Sequence, residues 1–324
     1  MADYEKPWLT IDQQVDHLAD RGVDVHPRDQ ALALLASTGY YRLTGYLYPF
    51  RDAERYRDED GRSRVRVLET YRPGSSIEYV QEIIDFDRKL RLLVLEGVER
   101  IEIAVRMQVG YVLGRTSPFA HLNSTTFQPN FVQPRLDSEM PIQHAVWLKR
   151  VAERRDSSDE AFVTHFRSRY DDQMPIWALT EILELGQLSR LYKGLYDESS
   201  LEIAQAFNVP TKRLMSSWLA SLNYARNVAA HHARLFNRKL QNSPGRPKPD
   251  VIPVLNHLRE FELKGGYGAY NILAVVAYLL TCIEGGETWT SSLVALLNSF
   301  PRSDILDLSS LGVTDDWSDL ELWN

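Results

Sequence analysis

The chain has 324 residues, room for one large domain or two, and its 44% hydrophobic and 25% charged content is that of an ordinary water-soluble globule. A net charge of −7 argues against a general nucleic-acid binder, and the single cysteine excludes a disulfide framework within the chain and fits a reducing cytoplasm. Residues 1–7 hold no apolar signal core, the longest apolar run (272–283) is too short to span a bilayer, and no Cys/His cluster has zinc spacing; no membrane, metal or cofactor is expected.

In chain order, residues 10–21 predict a helix that starts at Thr10, a good N-cap, and places Ile11, Val15 and Leu18 on one face. Residues 28–38 carry Ala31, Leu34 and Leu35 at helical spacing. The aromatic stretch 39–50, punctuated by Gly39 and Gly45 and stopped by Pro49, reads as packing for the N-terminal helices, with base stacking as the alternative. Residues 51–66 read as a charged loop, and only 64–71 alternates like a strand. Ile83, Leu90, Val94, Val98, Ile101 and Val105 predict one long helix over 76–113. Its charges outnumber one exposed face, so some of them point inward.

Four prolines make 114–142 a loop with a short helix at most. Helices follow over 143–155 and 159–170, then one from Met174 that stops at Leu185-Gly186, with the glycine as terminator. Two short helices cover 187–196 and 199–207, and a long one covers 211–240. Pro244, Pro247 and Pro249 then make an extended linker. Helices near 252–262, 270–283 and 290–299 complete an all-α reading, with Cys282 as core filler in the apolar run. From 303 onward there are six acids and no base, either a solubilising tail or a flap over a basic surface.

The basic surface is easy to locate. Residues 203–249 contain no Asp or Glu but eight Lys or Arg, of which Lys212, Arg213, Arg234, Arg238 and Lys239 are the expected contacts for an RNA backbone. The alternative is a solvated helix face balanced by acids from elsewhere. Within this stretch Arg226-Asn227 precede His231-His232. A guanidinium holds a phosphate with two parallel hydrogen bonds, and an imidazole moves a proton near neutral pH, which together suffice to cut a phosphodiester without a metal. The spacing is common by itself. It recurs at Arg21–His26 and, loosely, at Arg115–His121, but both of those lie among Gly and Pro breakers.

Turned as one helix, 211–240 puts Met215, Trp218, Leu222, Ala225, Ala229, Ala233 and Phe236 on a core face, and Arg213, Tyr224, Asn227, His231 and Arg238 opposite. Arg226 falls nearer the core face than His231. Two resolutions stay open: Arg226 pairs with Glu99 or Glu102 and orients the site, or a two-fold dimer, packed through Ala229, Ala230 and Ala233, brings two such helices together and supplies two histidines.

Ordered over the chain are Lys6-Pro7, Ile11-Asp12-Gln13-Gln14, Gly39-Tyr40-Tyr41-Arg42-Leu43, Phe86-Asp87-Arg88-Lys89-Leu90-Arg91, Glu99-Arg100-Ile101-Glu102, Pro175-Ile176-Trp177, Leu188-Ser189-Arg190-Leu191 and Ser221-Leu222-Asn223-Tyr224, ahead of Arg226-Asn227 and His231-His232. On these residues, over about 6–240, the chain resembles the Abi-like (abortive infection, phage-resistance) proteins of the HEPN superfamily. It departs from them at Ala229 and Phe236, both packing positions.

The resemblance implies a HEPN-type helical bundle with added terminal helices. Residues 1–75 would pack on a core of 76–241, with 242–324 as linker, C-terminal helices and acidic tail. It implies a metal-independent endoribonuclease site shared across a dimer, with Arg226, Asn227 and His231 or His232 as catalytic residues, Glu99, Glu102 and Tyr224 in support, and a 2′,3′-cyclic phosphate and a 5′-hydroxyl as products. RNA is then the partner, as substrate or as a restraining non-coding RNA, beside a second copy and a phage-derived trigger. Two other readings are an RNA-binding module that cleaves nothing and an interaction protein that senses a phage component.

Overall fold

A computed structural model describes residues 7–134, 141–260, 268–283 and 285–324, so Lys6 of the family-like N-terminal pair lies outside the described residues. Among the described residues are fourteen α-helices and one two-stranded sheet, so the chain is mostly α-helical, as its sequence predicts. It divides into two compact units: residues 1–90 with 295–310, and residues 91–294 with 311–324.

The first unit holds α1 (Ile11–Asp20), α2 (Arg28–Thr38), α3 (Tyr40–Leu47), the strands β1 (Arg51–Arg57) and β2 (Ser63–Tyr71), and the start of α4 (Ile77–Thr116). α1 begins where Thr10 predicts. The Thr10 hydroxyl accepts the Gln13 N–H and the Gln13 side chain accepts the Thr10 N–H, a reciprocal cap. The aromatic stretch folds as α3. It buries Leu43, Tyr46, Leu47 and Phe50, and leaves Tyr41 and Tyr48 exposed. The Tyr46 hydroxyl donates to the fully buried Asp87 at 2.6 Å, one of the inward charges expected of α4.

Residues 51–57 are not the expected loop but a strand antiparallel to β2. The hairpin buries few side chains, so it carries no apolar alternation to betray it. Its backbone ladder and cross-strand charges hold it instead: Arg66 is ion-paired with Glu54 directly opposite, and Arg64 Nε reaches Asp58 at 2.8 Å.

The second unit continues α4 and adds α5 (Pro129–Val132), α6 (Gln143–Asp156), α7 (Ala161–Tyr170), α8 (Ile176–Leu179), α9 (Leu185–Gly194), α10 (Asp197–Gln205), α11 (Lys212–Ala230), α12 (His257–Glu260), α13 (Tyr270–Leu280) and most of α14 (Gly286–Asn298). Every residue of α13 except Tyr278 is buried, which makes it the apolar centre of this unit. No helix among the described residues is long and apolar enough to cross a membrane.

Several expectations change here. Gly186 does not stop a helix. It lies in the first turn of α9, which Glu184 and Gln187 cap. A Cβ on Gly186 would sit 3.1 Å from Asn223 Oδ1, so the glycine lets α9 and α11 approach closely. Cys282 is half-buried rather than core, because α13 ends at Leu280; its sulfur accepts from Asn208 Nδ2 at 3.3 Å.

The segment after α11 is not an extended linker. Trp218 Nε1 donates to the Gly245 carbonyl at 2.8 Å, the Gly245 N–H donates to Ser217 Oγ at 2.8 Å, and Pro244 and Pro247 are buried. Nor is the chain end an acidic flap. Trp317, Leu322 and Trp323 are buried in the second unit, and Trp323 Nε1 donates to the Tyr270 hydroxyl at 3.0 Å.

Candidate functional site

α11 carries the candidate residues, and its own sequence explains its extent. Thr211 caps it by accepting the Leu214 N–H at 3.2 Å, no Gly or Pro interrupts it, and Met215, Trp218, Leu219, Leu222, Ala225, Val228 and Ala229 form its buried stripe. The helix ends at Ala230, ten residues short of the expected end. His231 is its C-cap, and His232 follows in the left-handed region at φ 57°. The His232 N–H returns to the Ala229 carbonyl at 3.0 Å and the Ala233 N–H to the Val228 carbonyl at 2.9 Å, the paired bonds of a Schellman turn. Glycine usually fills that left-handed position, and a histidine there hides the helix end from sequence reading.

The helical wheel therefore fails beyond Ala230. Phe236 is fully buried, as expected, but from a folded-back segment that also buries Leu235 and Leu240. Arg234, Arg238 and Lys239 belong to this segment rather than to a helix face. Both imidazoles of the pair are exposed, and the His231 ring makes no hydrogen bond among the described residues.

Arg226 and Asn227 are half-buried on the last turns of α11, where Arg226 Nη1 donates to Asn227 Oδ1 at 3.3 Å. The expected pairing of Arg226 with Glu99 or Glu102 is absent. Glu99 is exposed, and the buried Glu102 is ion-paired with Arg106 at 2.5 Å, whose Nε also donates to the Leu183 carbonyl. Arg226 makes no ion pair among the described residues, so its positive charge is uncompensated at the helix end. Tyr224 adds a buried hydroxyl with no hydrogen-bond partner among the described residues.

Ion pairing also distinguishes other cations of this stretch. Arg213, Arg238, Arg246 and Lys248 also make no ion pair among the described residues. Lys212 differs from these four. It reaches Asp197 at 3.3 Å and donates to the Leu195 carbonyl, and burial pushes its ammonium below the ordinary lysine value, against the pull of Asp197.

Lys212 and Arg213 border an open cleft of about 700 Å³ at the start of α11, with Lys193, Ser189, Ser216 and Asn242 among its walls. Sequence reasoning missed Lys193 and Asn242 as members of this surface, because nothing in one dimension joins positions so far apart. At about 1.5 Å per residue, Arg213 lies roughly 27 Å along the axis from His231. The basic stretch thus has two separate regions, a cation cleft at one end and the Arg/His group at the other.

The decoy spacings are occupied otherwise. Arg21 is ion-paired with Glu69. Arg115 forks onto Glu202 at 3.0 and 2.6 Å, and His121 is buried, its pKa pushed down to about 4 by burial first and by neighbouring His144 second.

No curated protein sequence and no solved structure matches this chain. A family profile described as Abi-like protein matches residues 33–237, more than half of the chain, and spans α2 through α11 with the Arg226–His232 group. That match points to a role in abortive infection. The chain belongs to the Abi-like protein family.

Proposed function

We propose that this protein is an abortive-infection effector of the HEPN type, a metal-independent endoribonuclease that acts through the end of α11. One observation carries the reading: Arg226, with no ion pair among the described residues, and two exposed imidazoles are grouped within one turn of the helix end, inside the span shared with the family. In this mechanism an imidazole takes the proton of a ribose 2′-hydroxyl as that oxygen bonds to the adjacent phosphorus. The bond from phosphorus to the 5′-oxygen breaks, and a second imidazole protonates the leaving oxygen. Arg226 holds the phosphate charge, and Asn227 orients the guanidinium. The products are a 2′,3′-cyclic phosphate and a 5′-hydroxyl. A second copy of the chain supplies the second His231, in keeping with the exposure of that ring and its lack of a hydrogen bond among the described residues.

The test is purified protein with end-labelled RNA in EDTA. Cleavage is expected, and His231→Ala is expected to lower its rate by about 10²–10⁴-fold with RNA binding and fold unchanged. RNA binding with no cleavage in the wild type would replace this reading with a module that binds a small non-coding RNA without cutting it, which the cleft at Lys193, Lys212 and Arg213 favours. No affinity for RNA at moderate salt would remove both and leave a phage-sensing interaction protein.

A further inference from the structure

A second cleft lies wholly within the first unit and has no part in the ribonuclease reading. It encloses about 790 Å³, within the range of small-molecule sites, and is bordered by Trp8, Tyr40, Tyr41, Arg21, Arg51 and Glu69. Trp8 is 84% exposed and Tyr41 77%, while Tyr40 meets Tyr41 edge to face at 5.9 Å. Two large exposed rings on the wall of one cleft offer a stacking surface rather than core.

The polar groups around them are equally specific. The Tyr40 hydroxyl is buried without a hydrogen-bond partner among the described residues, and so is that of Tyr71, whose ring lies under the Arg51 guanidinium at 5.9 Å. Arg21 is ion-paired with Glu69, and both guanidiniums act on the Tyr40 hydroxyl, whose pKa burial raises and they lower. Buried hydroxyls without partners are rare in folded proteins and call for a ligand or water to satisfy them.

We propose that this cleft binds a nucleotide, with its base against Trp8 and Tyr41 and its phosphate toward Arg21 and Arg51. The chemistry selects that class. A methylated ammonium would suit the rings but meet a net positive wall, since Glu69 offsets only one of the two guanidiniums. A bare phosphate would leave the rings without a role. A nucleotide joins a flat π-face to an anion and brings ribose hydroxyls for the exposed Glu69 carboxylate. The nucleotide is either free or an unpaired residue of an RNA strand.

The experiment is calorimetric titration of the full-length protein with AMP, adenosine and inorganic phosphate, and with a short single-stranded RNA and its abasic counterpart. AMP binding more tightly than adenosine and phosphate marks a free-nucleotide site. If only the strands bind, the intact strand binding more tightly than the abasic one marks an RNA residue. In either case the Trp8→Ala/Tyr41→Ala protein, altered only at exposed positions and checked for an unchanged melting curve, is expected to bind roughly 5- to 150-fold more weakly, and Trp8→Phe to retain most of the affinity. Either of two results overturns the proposal: no base-containing probe exceeds its base-free counterpart, or the double variant binds every probe as the wild type does. AMP, adenosine and inorganic phosphate hold no internucleotide linkage, so their affinities are independent of whether the protein cuts RNA.

Discussion

Replacing His232 separates backbone from imidazole at the end of α11. His232 is the C′ residue of the Schellman turn, at φ 57°. A left-handed L-residue costs roughly 1–2 kcal/mol, which glycine avoids, while glycine has more freedom to lose on folding, roughly 0.4–1 kcal/mol. His232→Gly and His232→Ala both delete the ring and whatever it touches, so their difference isolates the backbone. His232→Gly is expected to be the more stable by about 1 kcal/mol. For a unit of this size that is a melting temperature roughly 2–4 °C higher, read by thermal circular dichroism alongside urea unfolding. Cleavage assays on the same pair report on the ring: equal, near-wild-type rates assign the proton transfer to His231, and equal, large losses assign it to His232. Equal stability of the two variants, or a more stable alanine form, would refute the left-handed turn and with it the helix end at Ala230.

Two further predictions concern the second unit. The unfolded His121 ring takes a proton below its ordinary pKa of 6.5, whereas the buried ring does so only near 4, so the unfolded state binds more protons between these values and stability falls as pH drops. At 1.36 kcal/mol per pH unit this amounts to about 2–3 kcal/mol between pH 7 and 4.5; urea unfolding at both pH values should show a smaller loss for His121→Phe, and an equal loss would refute the assignment. Trp323→Ala is expected to destabilise by about 3–5 kcal/mol, through lost burial and the lost bond to Tyr270, and a chain ended at residue 302 should fail to fold its second unit; a loss below about 1 kcal/mol in denaturant titration of Trp323→Ala would show the chain end to be peripheral.

Much of the helical framework is legible because local and tertiary forces agree along it. Thr10 caps α1 and the apolar steps of α4 run unbroken, so one-dimensional periodicity and three-dimensional burial coincide. Where the two part company the reading errs. β1 is a row of charges stabilised by the strand opposite, and no apolar alternation records that partner. Ala229, Ala233, Phe236 and Leu240 continue a helical spacing past the true end of α11, yet Phe236 and Leu240 reach the core from a chain that has already turned back. The buried tryptophans of the tail are masked by the acids between them, which makes a core segment read as a solvated one.

The candidate residues can be named from the sequence but not placed by it. A wheel drawn through residues 226–231 sets the guanidinium and the imidazole on different faces, an objection that holds only while the helix continues. The helix ends one residue before His231, so the chain turns where the imidazoles lie, and their direction is no longer tied to that of Arg226. Beyond the helix, the His231 ring also makes no hydrogen bond among the described residues. Under the ribonuclease reading its orientation then comes from whatever docks at that helix end, RNA together with a second copy of the same turn. Under that same reading, an effector active only once its partner has assembled would use a histidine placed one residue past the helix end.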